Sequence, residues 1–120
     1  MDIERAVRNF MEACGQLGPA DKRTVELRLA LIDEEHDEVV AAINWGDRVQ
    51  IAKELADLVY VVVGTAVALD IPFNEVFAAL QTSNMSKVGP DGKIVFREDG
   101  KVLKGPHFIE AEKMIKDILG

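Results

Sequence analysis

Five of the six residues from Asp33 to Glu38 (DEEHDE) are acids. Such a run ordinarily reads as one solvated helix face, but helical geometry divides it. At about 100° per residue, with Glu34 at about 0°, Glu38 falls near about 40° and Glu35 near about 100°. Leu27, Leu31, Ala42 and Trp45 share that arc, and Val25, Leu29, Ile32 and Ile43 form a second apolar arc. Asp33 and Asp37 fall with Glu26 and Asn44 on a third, polar arc and read as surface acids. Glu34, Glu35 and Glu38 therefore interrupt an apolar stripe.

A second segment repeats the anomaly. Glu54 and Asp57 sit about 60° apart on a helix whose neighbours are Ile51, Leu55, Leu58, Val59, Val61 and Val62. Carboxylates ~5.5 Å apart repel by ~3 kcal/mol per pair at an effective dielectric near ~20. Such a cluster persists by protonation or by binding cations. An oxygen-only donor set suits a hard divalent ion, Mg²⁺ or Mn²⁺. Five carboxylates exceed what one octahedral ion needs, so two or three ions are expected, an arrangement suited to phosphoryl transfer. Competing metal patterns fit poorly. No EF-hand loop is present, and His36 falls away from the carboxylate arc, so a paired Glu-x-x-His di-iron site is not supported. His36 reads as a core or interface residue.

The elements that must carry these residues follow from periodicity and punctuation. Helices are predicted over about Asp2–Gln16, Asp21–Asn44, Asp47–Leu69 (Asp47 as N-cap), Asn74–Met85 and Phe108–Leu119. Between the last two, Ser86–Pro106 carries Asp-Gly pairs at 91–92 and 99–100 and an alternating KIVFREDGKVLKG, which predicts a hairpin-like loop. The fold class is all-α, a bundle of four to five helices in a single domain over 1–120. Two apolar arcs on the second helix and a third helix apolar nearly all round predict completion by homo-oligomerisation, as a dimer or tetramer.

Composition narrows the function classes. With 120 residues, 48% hydrophobic, a packed core is affordable. A net charge of −7 argues against nucleic acid and anionic membrane as partners. The apolar run Leu58–Leu69 spans 12 residues, well short of the about 20 needed to cross a bilayer. No targeting signal opens the chain. The single cysteine, Cys14, suits a reducing compartment and reads as a small core residue. These features predict a soluble, cytoplasmic protein. Residues 1–86 hold 15 acidic and 7 basic side chains, and residues 87–120 hold 6 and 7. An acidic helical body thus carries a relatively basic flap, about 87–106, with Lys87, Lys93, Lys101 and Lys104.

The pattern Glu34-Glu35-x-x-Glu38, 15 residues, Glu54-x-x-Asp57 resembles the motif of the MazG-like all-α nucleoside triphosphate pyrophosphohydrolases, relatives of phosphoribosyl-ATP pyrophosphohydrolases and dimeric dUTPases. ELADLVYVVVG (54–64), SNMSK (83–87) and DGKVLKGPHF (99–108) extend the resemblance over about Leu27–Leu119. It implies that Glu34, Glu35, Glu38, Glu54 and Asp57 hold the ions and that Glu35 orients and deprotonates the attacking water. It also implies that Asn84 and Lys87 meet the nucleotide phosphates. The implied reaction is attack of water on the α-phosphorus, giving a (d)NMP and pyrophosphate, with dGTP or dUTP as candidate preferred substrates.

Other readings stand beside this one. Asn84 and Lys87 equally suit a helix end and its dipole partner. Trp45 suits either base stacking or a core or interface position. Phosphoribosyl-ATP hydrolysis is the alternative within the enzyme class, although the flap and SNMSK look more like the MazG and dUTPase side. A non-catalytic helical nucleotide-binding or interaction protein is the alternative outside it, and that role would not require a complete acid set.

Overall fold

The computed structural model describes residues 1–120 as five helices: α1 (Ile3–Ala13), α2 (Lys22–Trp45), α3 (Arg48–Ala68), α4 (Phe73–Met85) and α5 (Ala111–Leu119). The all-α expectation holds. Three starts are fixed by aspartates acting as N-caps. Asp2, Asp21 and Asp47 accept the backbone N–H of Arg5 (3.1 Å), Thr24 (2.8 Å) and Gln50 (2.8 Å) through their side-chain oxygens.

Helix ends are set by left-handed residues. Gly15 (φ 69°) lets its own N–H reach Glu12 O (3.0 Å) and the Gln16 N–H reach Met11 O (2.8 Å), which terminates α1. Cys14 is consequently a C-cap and exposed, which corrects its expected place in the core. Asp70 (φ 56°) ends α3 in the same way, with the Ile71 N–H on Ala66 O at 2.8 Å. An aspartate tolerates this conformation better than most side chains. α5 begins at Ala111 rather than near Phe108, and the Ile109 N–H just before it donates to Ser86 Oγ at 2.8 Å.

The chain divides into two compact units, Met1–Phe73 and Asn74–Gly120. In the first, α3 is the common wall and packs against both α2 and α1. Val7 and Met11 of α1 meet Val63, Val67 and Ala68 of α3, with Phe73 against this cluster. Phe10 adds an edge-to-face contact with Tyr60, ring centroids 5.9 Å apart. Glu35 lies by Glu54 and Asp57, whereas Arg28 bonds Val61 and Thr65. The pairing runs in opposite directions along the two helices, so α2 and α3 are antiparallel. No single helix is long and apolar enough to cross a membrane.

The second unit contains the expected hairpin-like loop in a minimal form. Phe96 and Val102 form one antiparallel bridge. The Arg97 N–H donates to Lys101 O (2.7 Å) and the Leu103 N–H to Val95 O (2.8 Å). Ser86 Oγ also donates to Ser83 O at 2.6 Å, and Ser83, Ala79 and Ala111 are buried.

Val63 is 0% exposed, so Val63→Ala should cost about 2 kcal/mol in urea unfolding. Val49→Ala, at a position 78% exposed, should stay within about 0.5 kcal/mol. Equal midpoints for the two variants would contradict this core assignment.

Candidate functional site

The α2–α3 seam brings together Glu35, Glu54 and Asp57, each with a carboxylate oxygen within 4.8 Å of the others. Glu54 and Asp57 are one turn apart on α3, and Glu35 reaches them from α2. Their surroundings differ. Glu54 is buried and held by Gln50, whose Nε2 donates to Oε1 at 2.6 Å. Asp57 is half-buried and pairs with Lys53 Nζ at 2.6 Å, and the same ammonium lies 3.7 Å from Glu54 Oε1. Glu35 is half-buried, and its Oε2 is shielded from solvent without a hydrogen-bond partner.

The electrostatics follow from this geometry. Desolvation pushes the Glu35 carboxyl above the usual carboxylate range, and the charges of Asp57 and Glu54 add to it. Lys53 is pushed upward by its hydrogen bond to Asp57 and by the charges of Asp57 and Glu54. Three converging carboxylates, oxygen donors only, with one buried oxygen unpartnered, fit a hard divalent cation. Lys53 holds the cationic place beside Asp57.

The remaining candidates lie elsewhere. Glu34 and Glu38 are on α2 but exposed, outside the group of three. Asn84 and Lys87 are in the second unit, where Lys87 Nζ donates to Asn84 Oδ1 at 3.1 Å. Lys104 stands over the Phe108 ring, 4.9 Å from its centroid. Trp45 is 90% exposed, and so does not belong to the core of the chain. His36 is also exposed, beside Asp37 at 3.4 Å, which corrects the core half of the core-or-interface reading. It sits between acids on the solvent side of α2.

Two residues of this seam were not singled out from the sequence. Lys53 had a signal, since it stands four residues before Asp57 and helical i, i+4 spacing puts the two side chains together. Arg28 stands seven residues before Glu35, and so on nearly the same stripe of α2.

The sequence model of the phosphoribosyl-ATP pyrophosphohydrolase family matches residues 16–84, which include all three carboxylates of the cluster. Among solved structures, a candidate NTP pyrophosphohydrolase from Exiguobacterium sp. 255-15 superposes with a TM-score of 0.55 at 23% identity. The match covers 97% of this chain and 72% of that one, and it shows a shared fold. No curated protein matches the chain.

The raised Glu35 pKa has a testable sign. In metal-free buffer the folded state keeps this proton to higher pH than the unfolded chain does. The resulting stability is present below the ordinary carboxylate range and is lost as pH rises through the raised value. Glu35→Gln should therefore gain melting temperature relative to wild type as pH rises above the ordinary carboxylate range, about 4. Saturating Mn²⁺ should raise the wild-type melting temperature by about 5 °C or more and the variant's by less. Parallel pH curves for the two proteins would refute the coupling.

Proposed function

The chain belongs to the phosphoribosyl-ATP pyrophosphohydrolase family, within the MazG-like all-α pyrophosphohydrolases, and from that premise we propose a metal-dependent nucleoside triphosphate pyrophosphohydrolase. The observation that carries this reading is the convergence of Glu35, Glu54 and Asp57 within 4.8 Å. A family member is a hydrolase of phosphoric anhydrides, and a non-catalytic relative has no need to keep like charges this close.

Each residue has a part in the proposed reaction. Glu54 and Asp57 present fixed oxygens, Glu54 oriented by Gln50. Glu34 and Glu38 supply the remaining donors for two or three ions. When bound, Mg²⁺ or Mn²⁺ would acidify water and offset the charge of the leaving pyrophosphate. Glu35 orients the attacking water and takes its proton. It is suited to this because Oε2 has no other partner, whereas Glu54 is held by Gln50 and Asp57 by Lys53. Asn84 and Lys87 bind the substrate phosphates, as the resemblance of the Asn-x-x-Lys segment implies. Water attacks the α-phosphorus, the bond from that phosphorus to the bridging oxygen breaks, and pyrophosphate leaves.

A deoxynucleotide such as dGTP or dUTP remains the substrate class favoured by the flap and SNMSK segment. Phosphoribosyl-ATP is a second reading, favoured by the family model that matches. Both substrates break the same bond, so an assay of each in parallel separates them. The expected products are the monophosphate and pyrophosphate, with solvent ¹⁸O in the monophosphate. A nucleoside diphosphate and orthophosphate as first products would exclude the mechanism. Asp57→Asn should lower kcat by about 100-fold or more at saturating metal. Near wild-type turnover would remove Asp57 from the site.

We also propose that the working unit is a homodimer or homotetramer. On α2, Leu29, Val40 and Ile43 are 59%, 46% and 58% exposed, and on α3 Leu55 and Val59 are 45% and 48% exposed. Two long helices with this much apolar surface need a covering partner, and a second copy completes a four-helix arrangement. Light scattering in dilute buffer should give twice or four times the chain mass. A folded, active monomer would overturn the assignment.

A further inference from the structure

Arg28 is the one buried charge that the proposed reaction does not use. It is 6% exposed, and it lies along the same seam as the carboxylate cluster. Its Nε donates to Thr65 Oγ1 at 3.4 Å and its Nη2 to Val61 O at 3.3 Å, both long contacts to neutral acceptors. No carboxylate pairs with it, and burial alone pushes its pKa down. A guanidinium carries five donors in a planar fork, and the Nη1 edge is left without a hydrogen bond. A buried cation satisfied only by a hydroxyl and a carbonyl is costly, which makes a complementary anion favourable.

The same side chain lines a cavity of about 300 Å³, on the order of ten times the ~30 Å³ share of a water molecule. Its walls include Gly15, Gln16, Gly18, Thr24 and Ala68, and Arg28 is the only charged residue among them. The chain has 21 acidic side chains against 14 basic ones, yet none of those acids is among the cavity's walls. Thr24 also lines the cavity, with its N–H and its hydroxyl already given to the Asp21 carboxylate at 2.8 and 2.9 Å. Gly64 makes the position of the guanidinium possible, since a Cβ there would come within 2.5 Å of Arg28 Nη2.

We propose that Arg28 and this cavity form a binding site for a small oxyanion of the phosphate or carboxylate class, separate from the carboxylate cluster. Glu35, Glu54 and Asp57 do not line it. The guanidinium binds the oxyanion through its Nη1 edge, beside the Gly15–Pro19 turn that lines the cavity. Phosphate is favoured because it can accept several donors at once.

The test uses the full chain in EDTA, where a metal-dependent site cannot take part. Inorganic phosphate and acetate are titrated against chloride at matched ionic strength, and melting temperature is followed. Phosphate should give a saturable rise, and Arg28→Lys should need about tenfold more phosphate because it lacks the fork. A linear rise without saturation, or the same curve in the variant, overturns the site. Arginine side-chain ¹⁵Nε resonances of the wild-type protein provide a measurement independent of any variant's folding. The Arg28 signal should shift with the same half-saturation, and an unmoved signal overturns the site as well. A nucleoside monophosphate in parallel identifies the source. Tighter Arg28-dependent binding than phosphate assigns the anion to a nucleotide's phosphoryl group. Equal or weaker Arg28-dependent binding assigns it to the free ion, and both results support the site. Because the assay contains no metal, its failure leaves the pyrophosphohydrolase reading untouched.

Discussion

The structure depends on holding like charges together. Glu35, Glu54 and Asp57 approach within 4.8 Å only because α2 and α3 are pressed against one another along their length. Apolar burial on α3, through Val63 and Val67 against Val7 and Met11, anchors the helix that carries two of the three acids. The seam thus spends packing energy to maintain an electrostatically unfavourable group. Its repulsion is partly relieved by Lys53 and Gln50. The cation of the proposed reaction would relieve it further, which would tie ion binding to the closeness of the two helices.

Much of this arrangement was legible in the sequence. Glu54 and Asp57 stood out because their helix is otherwise apolar, and an acid on an apolar helix has to meet something. Asp21 and Asp47 were readable as helix starts because a side-chain oxygen one turn before a periodic run caps the free amides. The hairpin-like loop followed from its Asp-Gly pairs. Other features depended on contacts that periodicity does not encode. Cys14 lies on the apolar side of its helix by angle, but Gly15 ends the helix before the side chain can enter the core. His36, away from the carboxylate arc, and Trp45, at the last residue of α2, are both exposed because neither α1 nor α3 covers them. Glu34 and Glu38 share the stripe with Glu35 but are exposed, since α3 covers only part of the arc. Angular arithmetic gives a residue's direction; the extent of the neighbouring helix decides its burial.

The distribution of charge between the units has a chemical meaning for the proposed reaction. Glu35, Glu54 and Asp57, the proposed cation ligands, belong to the first unit, and Asn84, Lys87 and the flap lysines to the second. A triphosphate needs both, metal ions for the charge it develops and basic or amide donors for the charge it already carries. The 3.1 Å hydrogen bond from Lys87 to Asn84 keeps the ammonium beside an amide rather than beside a carboxylate. Its charge is therefore not cancelled within that pair, and a phosphate can compete for it.

The α2–α3 seam carries two charge problems of opposite sign, and neither solves the other. Arg28 and Glu35 are seven residues apart on α2, a rise of about 10 Å. At that separation their attraction is ~1.5 kcal/mol at an effective dielectric near ~20, too little to offset the burial of either group. Consistent with this, burial dominates at Arg28, and burial with the neighbouring acids dominates at Glu35. Each end of the seam therefore calls for its own counter-charge, a cation at the acids and an anion at the guanidinium. Both ends rest on the same face of α3, Glu54 and Asp57 at one and Val61 and Thr65 at the other. A displacement of α2 against α3 would change both sets of distances together, so occupancy at one end and geometry at the other are linked by a single rigid pair of helices.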